Sequence, residues 1–514
     1  MSTVLETPAK AVEPAREPRP WAAVTALARF EARELRLYMS FLGVALLYVG
    51  WIVWRCATGT DDYPALQDVD RATQSMPMLV GLSVMLCVNR AVLRSHRNDT
   101  ERHFGVLVVE PWRRTVAHAL SVVPAALFVA VCVTVQFTWE ALKPGAVGHG
   151  SPAELAVGPL TVMLFGALGV LLGRLVRSAV AAPVLLVFLL FTQALGGTIS
   201  GGTGWTDWLS PVVTETGARP YPSDLLGRPA AWHALYLLGL ALFVAVLAVL
   251  VGGGRTRAVQ GVLAGALALT LVGAVAQSGG TPAATVAARE RASVTPEKVQ
   301  TCLEHGTSMY CAFPEWKGRT ADWAAVVDRV RGLAGGAAWG ERLTVRQRVD
   351  ARSGLADNPA LEPSTVPGRV TVGTAWGGNR VTEFAVAVAS VLVAGNEKAG
   401  STVCDARMVT IMWLALGAES DPMTLFRNVR LDDSVTGSAI VLAPTDPLSM
   451  TTEQTRIVRE LLKMPRYGVT AKVKAHWSQL ISPKTSTARV AELLGVPART
   501  GAADTDTDGG LCEG

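Results

Sequence analysis

Seven apolar runs follow one another between residues 37 and 277, and no feature of the chain limits its fold more. Crossing a hydrocarbon core takes about 20 mostly apolar residues in a helix. Leu37–Trp54 is the first run, and Thr115–Thr138, Leu155–Gly173, Ser178–Ile199, Trp232–Gly252 and Ala258–Gln277 are the third to seventh. The second, Met76–Leu93, is the weakest, because Asn89 and Arg90 shorten its clean core. Arg90 sits near one end, where its long stem can lift the guanidinium to the headgroups. One such run could be a buried soluble helix; six or seven in succession could not. The composition agrees: charged residues make up 17% of the 514-residue chain, against about 25% in ordinary soluble domains. The expected fold is an α-helical polytopic membrane bundle of about seven spans, followed by a soluble α+β domain rich in helices.

Basic residues orient the spans. With the N-terminus in the cytoplasm, the inner segments hold Lys10, Arg16, Arg19, Arg29, Arg33, Arg36, Arg90, Arg94, Arg97, Arg102, Arg113, Arg114, Arg174, Arg177, Arg255 and Arg257. The outer loops hold Arg55, Arg71, Lys143, Arg219 and Arg228. That is the positive-inside asymmetry. Seven spans then put everything after about residue 278 outside; six would put it inside and blur the asymmetry. Trp51, Trp54, Trp139, Trp205, Trp208 and Trp232 fall at the outer ends, as in an interfacial aromatic belt.

The expected divisions are a disordered cytoplasmic tail (1–20), a transmembrane domain (21–278), an extracytoplasmic domain (279–500) and a disordered acidic tail (501–514). Residues 1–20 lack the apolar core of a secretory signal. The net charge of +5 does not suggest nucleic acid. In the C-terminal domain, residues 280–300 read as a polar linker. Ala321–Leu333, Thr382–Ala394, Val403–Gly417, Thr451–Lys463, Val469–Ile481 and Thr487–Leu494 read as helices, and Leu343–Val349 and Arg369–Val372 as strands. The two apolar helices among them suit a buried core better than spans.

Few residues carry chemistry. No phosphate loop, dinucleotide fingerprint, zinc-protease or nucleophile-elbow motif is present, so neither a cofactor nor an enzyme activity is expected. The apolar runs lack interior Asp, Glu and Lys, which disfavours an ion-coupled carrier; their polar residues are His118, Gln136 and Gln193. Cys302 and Cys311 can close a short hairpin by a disulfide in an oxidising compartment. Free thiols, or a metal held with His305, are the alternatives, although the spacing matches no standard zinc pattern. Cys404 and Cys512 can form a second bridge.

Two segments of the cytoplasmic surface are candidates for function. Trp21–Arg36, WAAVTALARFEARELR, reads as an amphipathic helix lying in the membrane plane against lipid, or as an extension of the first span. The loop Arg94–Arg114 mixes charge with apolar side chains and either docks a protein or folds back on the bundle. Its candidate contact residues are Arg94, Arg97, Arg102, Phe104, Glu110, Trp112, Arg113 and Arg114.

The elbow helix ALARFEARELR, the basic loop ending EPWRRTVAHAL, the Arg174–Arg177 hairpin and the later CLEHGTSMYCAFP together resemble the membrane (permease) subunit of actinobacterial ABC transporters, broadly of the ABC-2 exporter type, over residues 20–315. The resemblance implies a partner ATPase in the cytoplasm, a second permease copy, and a coupling role for the 94–114 loop. The usual unit of that type has six spans, so the seventh would serve to deliver the C-terminal domain outside. A non-transporting, membrane-anchored sensor or scaffold is the alternative.

Overall fold

The computed structural model describes residues 20–59, 61–98, 110–199, 208–213, 219–354, 360–432 and 435–497. The expected tails, Arg102, Phe104, Trp205 and Cys512 lie outside the described residues.

The N-terminal half is helical: α1 (Pro20–Leu37), α2 (Met39–Thr58), α3 (Leu66–Ala72), α4 (Ser75–Arg97), α5 (Pro111–Leu120), α6 (Val123–Ala141), α7 (Pro152–Leu175), α8 (Ala181–Ile199), α9 (Ser223–Leu226), α10 (Ala230–Val251) and α11 (Arg257–Gln277). Among the described residues, six helices are long and apolar enough to cross a membrane: α2, α3 with α4, α5 with α6, α7, α10 and α11. Helix α8 is a further apolar helix of 19 residues, so the total agrees with about seven spans. The weak second run is explained by its position. Helices α3 and α4 form the most buried of these segments, so α4 faces other helices rather than lipid and tolerates Asn89, whose amide donates to the Gly169 carbonyl at 3.4 Å.

Lipid supplies no hydrophobic force between helices, so close packing must hold them together. Helix α7 packs on α4, and α10 on both α7 and α11. Gly169 shows why: a Cβ there would stand 2.5 Å from the Met85 carbonyl oxygen, inside the backbone of α4. Gly273 does the same on α11, where a Cβ would meet the Tyr236 backbone nitrogen at 2.6 Å.

The C-terminal region begins with a helix, not a polar linker. Helix α12 (Ala283–Val294) has alanines on all sides and no strong apolar stripe, which is why its sequence reads as a connector. Strands β1 (Thr301–His305) and β2 (Ser308–Ala312) form a hairpin; helix α13 (Thr320–Leu333) leads to β3 (Thr344–Gln347), and β4 (Arg369–Val372) follows. The sheet order is β1-β2-β3-β4, with the hairpin antiparallel and the other pairs parallel. The chain continues through α14 (Asn379–Ala394), α15 (Glu397–Ser401), α16 (Arg407–Leu416), α17 (Pro422–Asn428), the hairpin β5 (Ala439–Val441) and β6 (Leu448–Met450), α18 (Thr452–Lys463), α19 (Arg466–Ala475), α20 (Trp477–Leu480) and α21 (Thr487–Leu494). Helices α14 and α16 are buried on nearly every face, as expected for helices apolar all round in a core. Thr451 and Gln454 form a full capping box at the start of α18, as the TTEQ sequence predicts. The Val469–Ile481 helix is broken at His476 into α19 and α20.

The hydrophobic core of this region does not stop at its own residues. Ala65, Val147, Tyr221 and Leu225, from three loops of the bundle, are buried in the same cluster as Trp316, Trp323 and Phe384. Arg319 fastens the junction. It is almost fully buried and donates from Nη2 to the carbonyls of Tyr63 (2.5 Å) and Gly145 (3.0 Å), and from Nη1 to that of Thr374 (3.4 Å). The domain therefore caps the end of the bundle formed by Thr58, Ala141, Pro152, Ala230 and Gln277. Helix α1 lies at the opposite end, beside α5.

Candidate functional site

At the α1 end, the amphipathic reading of residues 21–36 takes a definite form. Val24 and Ala28 are buried against Ala117 of α5, and the Trp21 and Trp112 rings meet edge to face at 6.4 Å. Glu31 turns inward and pairs with Arg94 of α4 at 3.1 Å. Burial raises the Glu31 carboxyl above its ordinary value, and Arg94 pulls it back. Arg29, Arg33 and Arg36 face outward, joined at this end by exposed Arg97, Arg177, Arg255 and Arg257.

The proposed contact residues divide. Arg94 is committed to Glu31. Arg113 pairs with Glu110 at 3.0 Å and lies over the Trp112 ring at 5.3 Å, and Arg114 also has partners within the fold. These residues brace the start of α5. Of the described residues in the 94–114 loop, Arg97 presents its charge outward. His118 is buried, and its Nδ1 meets no hydrogen-bond partner.

At the capped end, Cys302 and Cys311 are directly paired across the β1–β2 hairpin and form a disulfide. That disposes of the thiol and metal readings, and His305 instead bonds Thr320 Oγ1 at 3.0 Å. Cys404 is disulfide-bonded; the bridge considered for it, to Cys512, lies outside the described residues.

The same end holds a feature that the sequence conceals. A cavity of about 330 Å³ lies between α3, the loop before α7, α9 and helix α12. Gln67, Asp70 and Glu154 line it, each about 2% exposed. Asp70 Oδ2 accepts the Ser151 N–H at 2.8 Å, and Oδ1 lies 3.9 Å from Arg228. Glu154 Oε2 accepts from Gln74 Nε2. Gln67 donates to the Tyr221 carbonyl at 2.8 Å. Arg228 donates to the Gln67 carbonyl and, at 3.4 Å, to Asp68. One oxygen on each of the three buried side chains (Gln67 Oε1, Asp70 Oδ1 and Glu154 Oε1) has no hydrogen-bond donor. The apolar runs do lack interior carboxylates, but these two sit just beyond run ends, at positions that read as loop charges.

No protein-family profile, curated protein or solved structure matches this chain. Its function has to be read from its own geometry. The basic end presents outward arginines, and the capped end holds a cavity lined in part by polar side chains.

Proposed function

We propose that this chain is the membrane-embedded permease subunit of an ABC-type transporter, powered by a separate cytoplasmic ATPase. The observation that carries the reading is helix α1, laid against α5 and tied to α4 by Glu31–Arg94, with its arginines turned outward. A helix fixed at two points and charged on its free side can pass a partner's movement to the spans behind it. Outward arginines offer charge complementarity to an acidic protein surface. The basic residues at this end support a cytoplasmic orientation for it, and the cap at the other end is consistent with a C-terminal domain held outside. The sensor or scaffold reading draws support from the cap, whose buried contacts can relay a signal to the bundle.

The test is affinity purification of the tagged chain from its native membrane in mild detergent, followed by identification of co-purifying proteins. Wild type is compared with Arg33→Glu/Arg97→Glu, two exposed positions outside the bracing network. A Walker-type ATPase captured by wild type and lost from the variant supports the permease. An intact wild-type chain that captures none refutes it in favour of the sensor.

A further inference from the structure

The outward side of helix α1 is divided in a way that carries a further inference. A helix turns about 100° per residue, so its side chains fall into sectors. Val24, Ala28, Glu31, Ala32 and Leu35 share one sector, and all are buried. Arg29, Arg33 and Arg36 lie within about 60° of one another on a second sector, which is exposed. Ala23, Ala26, Phe30 and Leu37 occupy a third, next to the arginines and also turned away from the bundle. Phe30 is 51% exposed and Leu37 73%. Half-buried Glu34 borders this apolar sector on its far side. A helix whose free side met only water would carry polar residues there. An apolar row beside a basic row is instead the pattern of an interfacial helix, with one row in the acyl boundary and the other among the headgroups.

The position of α1 brings lipid to that side. Tyr38 leaves the helical conformation, with ψ 124°, and α2 starts at once with Met39, which is 81% exposed. Exposed Leu42 and Leu46 follow on the same side of α2. A single residue thus separates α1 from a membrane-crossing helix, which holds Leu37 at the edge of the hydrocarbon. The apolar sector of α1 continues the lipid-facing surface of α2.

We propose that the outward side of α1 binds anionic glycerophospholipid, with Phe30 and Leu37 in the acyl boundary and Arg29, Arg33 and Arg36 on the headgroup phosphates. A guanidinium can pair with a phosphate through two parallel N–H···O bonds. The net negative charge of an anionic headgroup adds the attraction of the surface potential, which zwitterionic phosphatidylcholine lacks. Exposed Arg97, Arg177, Arg255 and Arg257, on other elements of this end, stay open to a protein partner. The inference does not rest on the ATPase.

Hydrogen exchange on the purified full-length chain would compare nanodiscs of phosphatidylcholine with nanodiscs that also contain phosphatidylglycerol. Inorganic phosphate added to the first controls for a free anion. Residues 21–37 should exchange more slowly in the phosphatidylglycerol discs, with α7 and α14 unchanged, and inorganic phosphate should add nothing. A basic side chain at an anionic surface gains about fivefold in binding. Arg29→Gln/Arg36→Gln should therefore cut the protection that depends on phosphatidylglycerol by roughly twentyfold, and Phe30→Ser/Leu37→Ser should lower protection in both discs. All four side chains are exposed, so both variants keep the buried face that fixes α1 to α5. Equal protection of the wild type in the two discs overturns the proposal whatever the variants do. So does the same slowing by inorganic phosphate, or protection that either variant leaves intact. Protection found in native membrane vesicles but in neither disc assigns this side to a protein and overturns it too. None of these results decides whether an ATPase is captured, which Arg33→Glu/Arg97→Glu tests separately.

Discussion

Arg319→Met should loosen the cap from the bundle without touching either core. Methionine keeps much of the length and the apolar stem but none of the donors. Three carbonyls lose a partner, yet not equally. The Thr374 oxygen still receives the Trp316 indole N–H at 2.9 Å, whereas those of Tyr63 and Gly145 lose a charged donor in a buried setting. Each orphaned acceptor costs about 1–3 kcal/mol. The guanidinium also lies 5.5 Å over the Tyr63 ring, a contact worth about 1–2 kcal/mol when desolvated. Against these losses stands the relief of no longer burying a cation, whose cost shows in an Arg319 pKa pushed down to about 10; the side chain remains charged at neutral pH. The net expectation is a loss of about 3–5 kcal/mol, the range for removing one partner of a buried charged contact. It should fall on the docking of the domain. Hydrogen exchange on the full chain would read it as lost protection in residues 61–66 and 143–150, with α14 and α16 unchanged. Unaltered exchange in those two loops would refute the reasoning, and so would uniform loosening that includes α14 and α16.

Two other substitutions test other parts of the fold. Gly169→Leu forces a side chain into the backbone of α4 and should destabilise the bundle by about 1–3 kcal/mol, read as a lower melting temperature in detergent. Gly265→Leu, at a position where a Cβ meets nothing within 4 Å, is the control, and equal melting of the two variants would contradict the packing argument. Asp350 is held below its ordinary carboxylate value by hydrogen bonds from Arg352. A depressed carboxylate contributes stability above its unfolded pKa, near 3.8, and loses it as pH falls through the lower folded value. Asp350→Asn should therefore leave acid stability unchanged below that window and lower it slightly above, which acid-unfolding curves of the two proteins would show.

Parts of this architecture were open to reading before any coordinates. The apolar runs announce the spans because length and hydropathy are local properties. Thr451 and Gln454 mark a helix start by a pattern four residues long. The core assignment of Thr382–Ala394 and Val403–Gly417 rested on their being too short to cross a membrane, and both are buried. Long-range pairing is what local pattern cannot supply. Helix α12 escaped because alanine favours a helix without giving it an apolar stripe. The chamber escaped for a different reason: Gln67 of α3, Glu154 of α7 and Arg228 of the loop before α10 come from separate parts of the chain, up to 161 positions apart in the Arg228–Gln67 bond, and no spacing rule joins them. At the basic end, counting charge located the surface but not its division of labour. Arg94 and Arg113 are spent on Glu31 and Glu110, which only the packing of α1 and α5 reveals.

The shared core at the capped end sets an order of events during synthesis. Tyr63 leaves the ribosome 256 residues ahead of Arg319, the side chain that clasps its carbonyl. Until that later stretch has been made and folded, Ala65, Val147, Tyr221 and Leu225 have no interior to enter, and the loops that carry them stay wet and unfinished. A nascent chain halted near residue 300 would thus display a set of apolar loop residues to whatever quality-control machinery meets that end of the bundle, so the last domain to be made also certifies the first loops.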